Sequence, residues 1–136
     1  MSKKVLLLGG AGFIGFNITK YLAENRDYEL TIADNFARGK QDDYFTELVN
    51  KHGIRVVAGD FTNPATYNEL DEAYDQVYML ASVVGVDNAN SIPHEIIRIN
   101  TALIYNTLEW IRRSKVGKVL FVDFEGELTR LLGSTL

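Results

Sequence analysis

Val5-Leu6-Leu7-Leu8 runs directly into Gly9-Gly10-Ala11-Gly12-Phe13-Ile14-Gly15, and apolar residues then recur at helical spacing from Phe13 to Glu24. The four apolar residues read as a short strand covered on both faces. Gly9, Gly12 and Gly15 thus form G-x-x-G-x-x-G in the turn between a strand and a helix. The first glycine permits a tight turn, and the second lets backbone approach a pyrophosphate with no Cβ between them. The third lets the helix pack closely on the strand. Amides at the helix start, aided by the positive end of its dipole, then face the phosphates. Glycine spacing alone would equally describe a turn with no ligand, so the flanking residues decide its weight.

The same alternation continues along the chain. Val5 to Leu8, Leu30 to Ala33, Ile54 to Ala58, Val77 to Leu80 and Val119 to Val122 read as strands. Helical spacing falls on Phe13 to Glu24, Gln41 to Lys51, Ala65 to Ala73 and Glu95 to Ser114. In the last of these, Ile96, Ile99, Leu103, Ile104, Leu108 and Ile111 recur at three- and four-residue steps behind Pro93. Strand–helix alternation requires crossovers, hence an α/β fold with a parallel sheet and helices on both faces. Right-handed crossovers favour a doubly wound five-stranded sheet of order 3-2-1-4-5. One domain over 1–122 followed by a short helical tail over 123–136 is the expected organisation. Ligands of such sheets bind outside the carboxyl ends of the strands, which directs attention to the loops after Leu8, Ala33, Ala58, Leu80 and Val122.

Asp34 ends the second strand, 19 positions beyond Gly15. A carboxylate there can accept hydrogen bonds from both ribose hydroxyls of an adenosine and repels a 2′-phosphate, favouring NAD over NADP. Arg38 and Lys40 keep NADP open, since either could reach a 2′-phosphate; the other reading of both is a solvated loop charge. After the third strand, Gly59-Asp60-Phe61 has two readings. Asp60 could accept from the adenine amine beside an apolar Phe61, or Asp60 or Thr62 could cap the following helix. Leu80-Ala81-Ser82 places small residues where a pyrophosphate and nicotinamide ribose would pass, and plain packing would use them equally well.

Composition narrows the alternatives. The 136 residues carry a formal net charge of −4, which disfavours nucleic acid as the main partner. The absence of cysteine excludes a disulfide scaffold, a zinc–thiolate site and a thiol nucleophile. His52 and His94 have no ligand-spaced neighbours, so no metal site is expected, and the glycine loop lacks the Gly-Lys-Ser/Thr ending of a P-loop. The Lys3-Lys4 start resembles a signal peptide only until its apolar run breaks at Gly9, and no stretch reaches membrane-spanning length. A cytoplasmic location is expected, which makes the Asn17-Ile18-Thr19 sequon a chance match.

Taken together, these residues resemble the extended short-chain dehydrogenase/reductase family, in particular its NAD-dependent sugar-nucleotide epimerases and dehydratases. The likeness covers residues 3 to about 122. Gly9 to Gly15 is similar to that family's glycine loop nearly letter for letter, and Asp34-Asn35-Phe36 looks like its ribose-binding strand end. Gly85-Val86, Ser91-Ile92-Pro93 and Asn100 fall in register with a further family stretch. There the asparagine matching Asn100 supports the central helix; the other reading is an ordinary polar helix residue. The resemblance implies a Rossmann fold and a cofactor-binding set. That set comprises Gly9, Gly12, Phe13, Ile14 and Gly15, then Asp34, Asn35, Phe36 and Arg38, then Asp60 and Phe61, and finally Leu80, Ala81, Ser82 and Asn100.

The resemblance stops after the fifth strand. The family's Ser/Thr-rich turn is replaced by Asp123, Phe124 and Glu125. Its Tyr-x-x-x-Lys pair, in which lysine lowers the tyrosine pKa for proton transfer during hydride movement, has no match. None of the seven tyrosines has a lysine four positions later, and Tyr105 has Glu109 there instead. Cofactor binding therefore carries over and no catalytic residue does. The expectation is a dinucleotide-binding domain that is inactive by itself; a non-catalytic regulatory or interaction module is the alternative. Phe124, Leu128, Leu131 and Leu132 would share one face of the tail helix. That tail and the 95–114 helix are the expected surfaces of a homodimer, while Trp110 and Tyr105 are expected to pack along that helix.

Overall fold

The computed structural model describes residues 2–37, 41–82 and 93–121. In order these form β1 (Lys3–Leu8), α1 (Phe13–Asn25), β2 (Tyr28–Asp34), α2 (Asp43–His52) and β3 (Arg55–Ala58). A single 3-10 segment (Pro64–Glu69), β4 (Ala73–Met79), α3 (Pro93–Arg113) and β5 (Lys115–Phe121) complete them. All strands pair in parallel, in the order β3-β2-β1-β4-β5 that the crossover argument requires.

The register aligns the strand ends. Leu8 lies opposite Ala33 on one side and Met79 on the other, Asp34 opposite Ala58, and Met79 opposite Phe121. The ladder continues one residue into the loops: Gly9 N–H donates to Ala33 O at 2.7 Å, Leu80 N–H to Leu8 O at 2.8 Å and Gly59 N–H to Asp34 O at 3.0 Å. Three loops are thereby fixed along one carboxyl edge.

β1 explains the two-layered core. Its side chains alternate between faces, so Leu6 and Leu8 join Val77, Met79, Tyr67, Leu103 and Trp110 on one side. Val5 and Leu7 join Leu30, Ile32, Leu22 and Phe45 on the other. Burying each of these β1 side chains contributes about 1.5–3 kcal/mol, which is why a short apolar run suffices to centre the sheet. Within the first cluster the Tyr67 hydroxyl bonds Thr107 Oγ1 at 2.8 Å, and burial pushes its pKa up to about 12.

Several expected boundaries shift. Ala65 to Ala73 is not a helix: Asn63 caps Ala65 N–H, Pro64 opens the 3-10 segment, and Leu70 N–H closes it on Tyr67 O. Buried Tyr67 and Leu70 lie three residues apart, the spacing of a 3-10 turn, and Ala73 already begins β4. β2, β4 and β5 begin earlier than their apolar runs because parallel pairing already holds their first residues, Tyr28 opposite Lys3 and Ala73 opposite Lys115. Val122 and the 123–136 tail lie outside the described residues.

Helix α3 carries two apolar stripes rather than one. Leu103, Thr107 and Trp110 are buried, Trp110 between the rings of Tyr67 and Tyr74. Ile104 and Leu108, expected on that face, lie with Ile97 and Tyr105 on the exposed side, and Tyr105 is 63% exposed. Thr19 of the sequon is fully buried, its hydroxyl donating to Gly15 O. No helix among the described residues is long and apolar enough to cross a membrane.

At the amino edge, charged side chains join the strand starts. Lys4 Nζ pairs with Asp71 at 2.7 Å and Arg55 with Asp71 at 3.0 Å. Arg55 also donates to Glu69 O, and Lys4 N–H to Asp75 Oδ2. The hydrogen bond between Lys4 and Asp71 raises the lysine pKa and lowers that of the carboxyl.

Candidate functional site

A cleft of about 860 Å³ lies over the carboxyl edge, lined from both faces of the sheet. Its floor is the glycine loop, whose three framework glycines are small for different reasons. Gly9 has φ +83°, and a Cβ there would sit 2.6 Å from Ala81 N. A Cβ on Gly15 would sit 2.5 Å from Gly9 O and 2.6 Å from Gly10 Cα. The protein's own backbone demands glycine at both positions. Gly12 differs. Its φ of −71° and ψ of 175° suit any residue, and a Cβ would meet only Gly9 O, at an ordinary 3.7 Å.

Gly12 is also the N-cap of α1 and supplies no side-chain acceptor; no acid stands in the first turn. Phe13, Ile14 and Gly15 of that turn line the cleft, at the positive end of the helix dipole. Phe13 and Ile14 follow, and the Phe13 side chain is 86% exposed at the cleft wall.

Asp34 lines the cleft and does more than end a strand. Its Oδ2 accepts from Ala11 N–H at 3.0 Å and its Oδ1 from Phe36 N–H at 2.8 Å. The carboxylate thus fastens the glycine loop to β2, yet a carboxylate offers about four acceptor positions, so capacity remains for a ligand. Asn35 lines the cleft, and its Oδ1 accepts from Ala37 N–H at 3.0 Å. Phe36 adopts a left-handed φ of 57°, and its ring packs edge-on against Phe45 with centroids 5.7 Å apart. It packs, half-buried, against the core cluster of Val5 and Leu7 and is not among the residues lining the cleft. Arg38 lies outside the described residues.

Asp60 caps the turn that follows it. Its Oδ1 accepts from Thr62 N–H at 2.9 Å and Thr62 Oγ1 at 2.6 Å, a local cap whose hydroxyl bond holds the carboxyl below its usual range. The residue nevertheless lines the cleft with Phe61 and Thr62. Phe61 is buried, its ring set edge-on to Tyr67 at 5.1 Å. Asn106 of α3, a residue without a sequence signal, donates to Phe61 O at 3.3 Å and Thr62 O at 2.8 Å, locking this loop. Asn100 is half-buried on α3 and not among the lining residues. Leu80, Ala81 and Ser82 are half-buried and line the opposite wall.

The fold and this edge define a Rossmann-type α/β domain. A family model described as the NAD dependent epimerase/dehydratase family matches residues 5–123, and the chain belongs to that family. It is 33% identical over 123 residues to the UDP-N-acetyl-alpha-D-glucosaminuronate decarboxylase of Bacillus cytotoxicus, covering 90% of this chain and 37% of the relative. Over 114 residues it is 32% identical to the dTDP-glucose 4,6-dehydratase of Mycolicibacterium smegmatis, covering 83% and 34%. Among solved structures, the Bordetella bronchiseptica enzyme WbmF in complex with NAD+ and UDP superposes with a TM-score of 0.75 at 26% identity, covering 88% of this chain and 35% of that one. The chain spans about a third of the length of these relatives.

Proposed function

We propose that the chain binds NAD across the carboxyl edge of its sheet, as the cofactor-holding part of a sugar-nucleotide epimerase, dehydratase or decarboxylase. Gly12 carries this reading. It is the one framework glycine that neither backbone nor packing requires, and it stands where a pyrophosphate would need an uncapped helix start. The Phe13 and Ile14 amides would hold the phosphates, and Asp34 and Asn35 the adenosine ribose. Asp60 and Phe61 would meet the adenine, while Leu80, Ala81 and Ser82 would lie along the nicotinamide half. Support comes from WbmF, solved with NAD+ and UDP, and from relatives whose names specify UDP- and dTDP-sugars. Bound NAD would accept and return a hydride; the residues here hold and orient it.

Within these 136 residues no tyrosine is followed four positions later by lysine. The chain alone is therefore expected to bind without turnover and to act as a dinucleotide-binding module until other residues complete the chemistry. The exposed stripe of Ile97, Ile104, Tyr105 and Leu108, with Leu120 and Phe121 on β5, favours a homodimer. Sedimentation showing only monomer at micromolar concentration would sink that assignment.

Calorimetric titration with NAD tests the principal claim. Gly12→Ser supplies both a Cβ and a good helix cap. It should retain the wild-type melting temperature within a few degrees and lose at least tenfold in NAD affinity. Unchanged affinity in a folded Gly12→Ser protein would defeat the site.

A further inference from the structure

Two helix starts meet this cleft, and they are built oppositely. α1 opens on Gly12 with no acid in its first turn, whereas α2 is capped by Asp42 and begins with Asp43. Asp42 lines the same cleft as Asp34, Asn35 and Ala37. Its Oδ1 accepts from Phe45 N–H at 2.9 Å. One capping bond leaves most of the acceptor positions of this cleft-lining carboxylate unused.

The position of Asp42 relative to Asp34 is fixed by an aromatic pair. Phe36 N–H is held by Asp34 and Phe45 N–H by Asp42, while the two rings meet edge to face with centroids 5.7 Å apart. Each acid is thus one hydrogen bond from one member of a packed pair. The left-handed backbone of Phe36 directs its ring into that contact. The end of β2 and the start of α2 form one unit carrying two carboxylates.

A bare helix start attracts phosphate. Negative charge at the cap cancels that attraction. We infer that Asp42 is a cofactor-specificity residue: with Asp34 it excludes a phosphate from the ribose 2′ position, so that selection of NAD over NADP rests on two carboxylates. This inference rests on the NAD site proposed above.

The test titrates the full chain with NAD and with NADP, in wild type, Asp42→Asn and Asp42→Ser. Asparagine and serine keep the cap while removing the charge. Both variants should gain about fivefold in NADP affinity at low salt and leave NAD affinity within twofold. The gain should shrink at high salt, because screening weakens charge repulsion between groups near the surface. Asp43→Asn serves as the control and should produce less than half of that gain. NADP affinity unmoved in both Asp42 variants, with NAD still bound, overturns this inference alone. An Asp43→Asn effect as large as that of Asp42→Asn assigns the selectivity to the helix start as a whole and also overturns it. A folded wild type that binds neither dinucleotide overturns the NAD site itself, and this inference with it.

Discussion

The two edges of the sheet use their polar groups differently. At the amino edge, Lys4, Arg55, Asp71 and Asp75 satisfy one another and nearby backbone, so strand starts are stapled together by side chains. At the carboxyl edge, Asp34 and Asn106 brace loops from behind, while the first turn of α1 has no side-chain cap. One edge closes its interactions within the chain, and the other holds some open. Binding capacity therefore sits where backbone is immobilised but not saturated.

The largest effect that would break this contrast is at Gly15. Gly15→Ala drives a methyl into the backbone of Gly9 and Gly10. Overpacking against unyielding backbone is expected to cost about 3 kcal/mol, seen as a melting temperature roughly 10 °C lower. A near-native melt would show that the loop is not braced as described. Next comes Asn106→Ala, which removes the donor to Phe61 O and Thr62 O. Loss of these bonds at a buried side chain is expected to cost about 1–3 kcal/mol by denaturant unfolding.

Lys4→Ala tests the opposite edge. The pair it breaks is partly exposed, so a loss of about 1 kcal/mol or less is expected, diminishing with salt, and dinucleotide affinity should stay unchanged. The pH dependence has a definite sign. Asp71, with a lowered folded pKa, contributes stability above its unfolded value near 4, and this is lost as pH falls through the folded value. Lys4, with a raised folded pKa, contributes below its unfolded value near 10.4, and this is lost as pH rises through the folded value. Smallest in stability is Gly12→Ser, expected within about 0.5 kcal/mol of wild type by the capping scale. A stability effect matching that of Gly15→Ala would erase the distinction between the two glycines.

Much of this architecture is readable from local pattern. The apolar runs, their spacing and the glycine loop suffice for strand order, because each reflects chemistry within a few residues. Asp34 was legible as a strand-end acid but not as the acceptor from Ala11, since nothing local records a bond spanning 23 residues. Asn106 has no local signature for the same reason, its partners lying 44 and 45 residues away. Local spacing does not separate the 3-10 segment from a helix, because Tyr67 and Leu70 fit both periods over so short a span. The left-handed backbone of Phe36 and its ring contact with Phe45, nine residues on, have no local signature either.

Tyr67 has an optical consequence. Burial of the Tyr67 side chain raises its ionisation to about 12, against the opposing effect of its hydroxyl bond to Thr107. In an alkaline ultraviolet titration, its phenolate absorbance is expected near pH 12. A free phenol ionises near 10, so opening the contact between the 3-10 segment and α3 would release this chromophore early. The chain thus carries its own reporter of core opening, readable without a label.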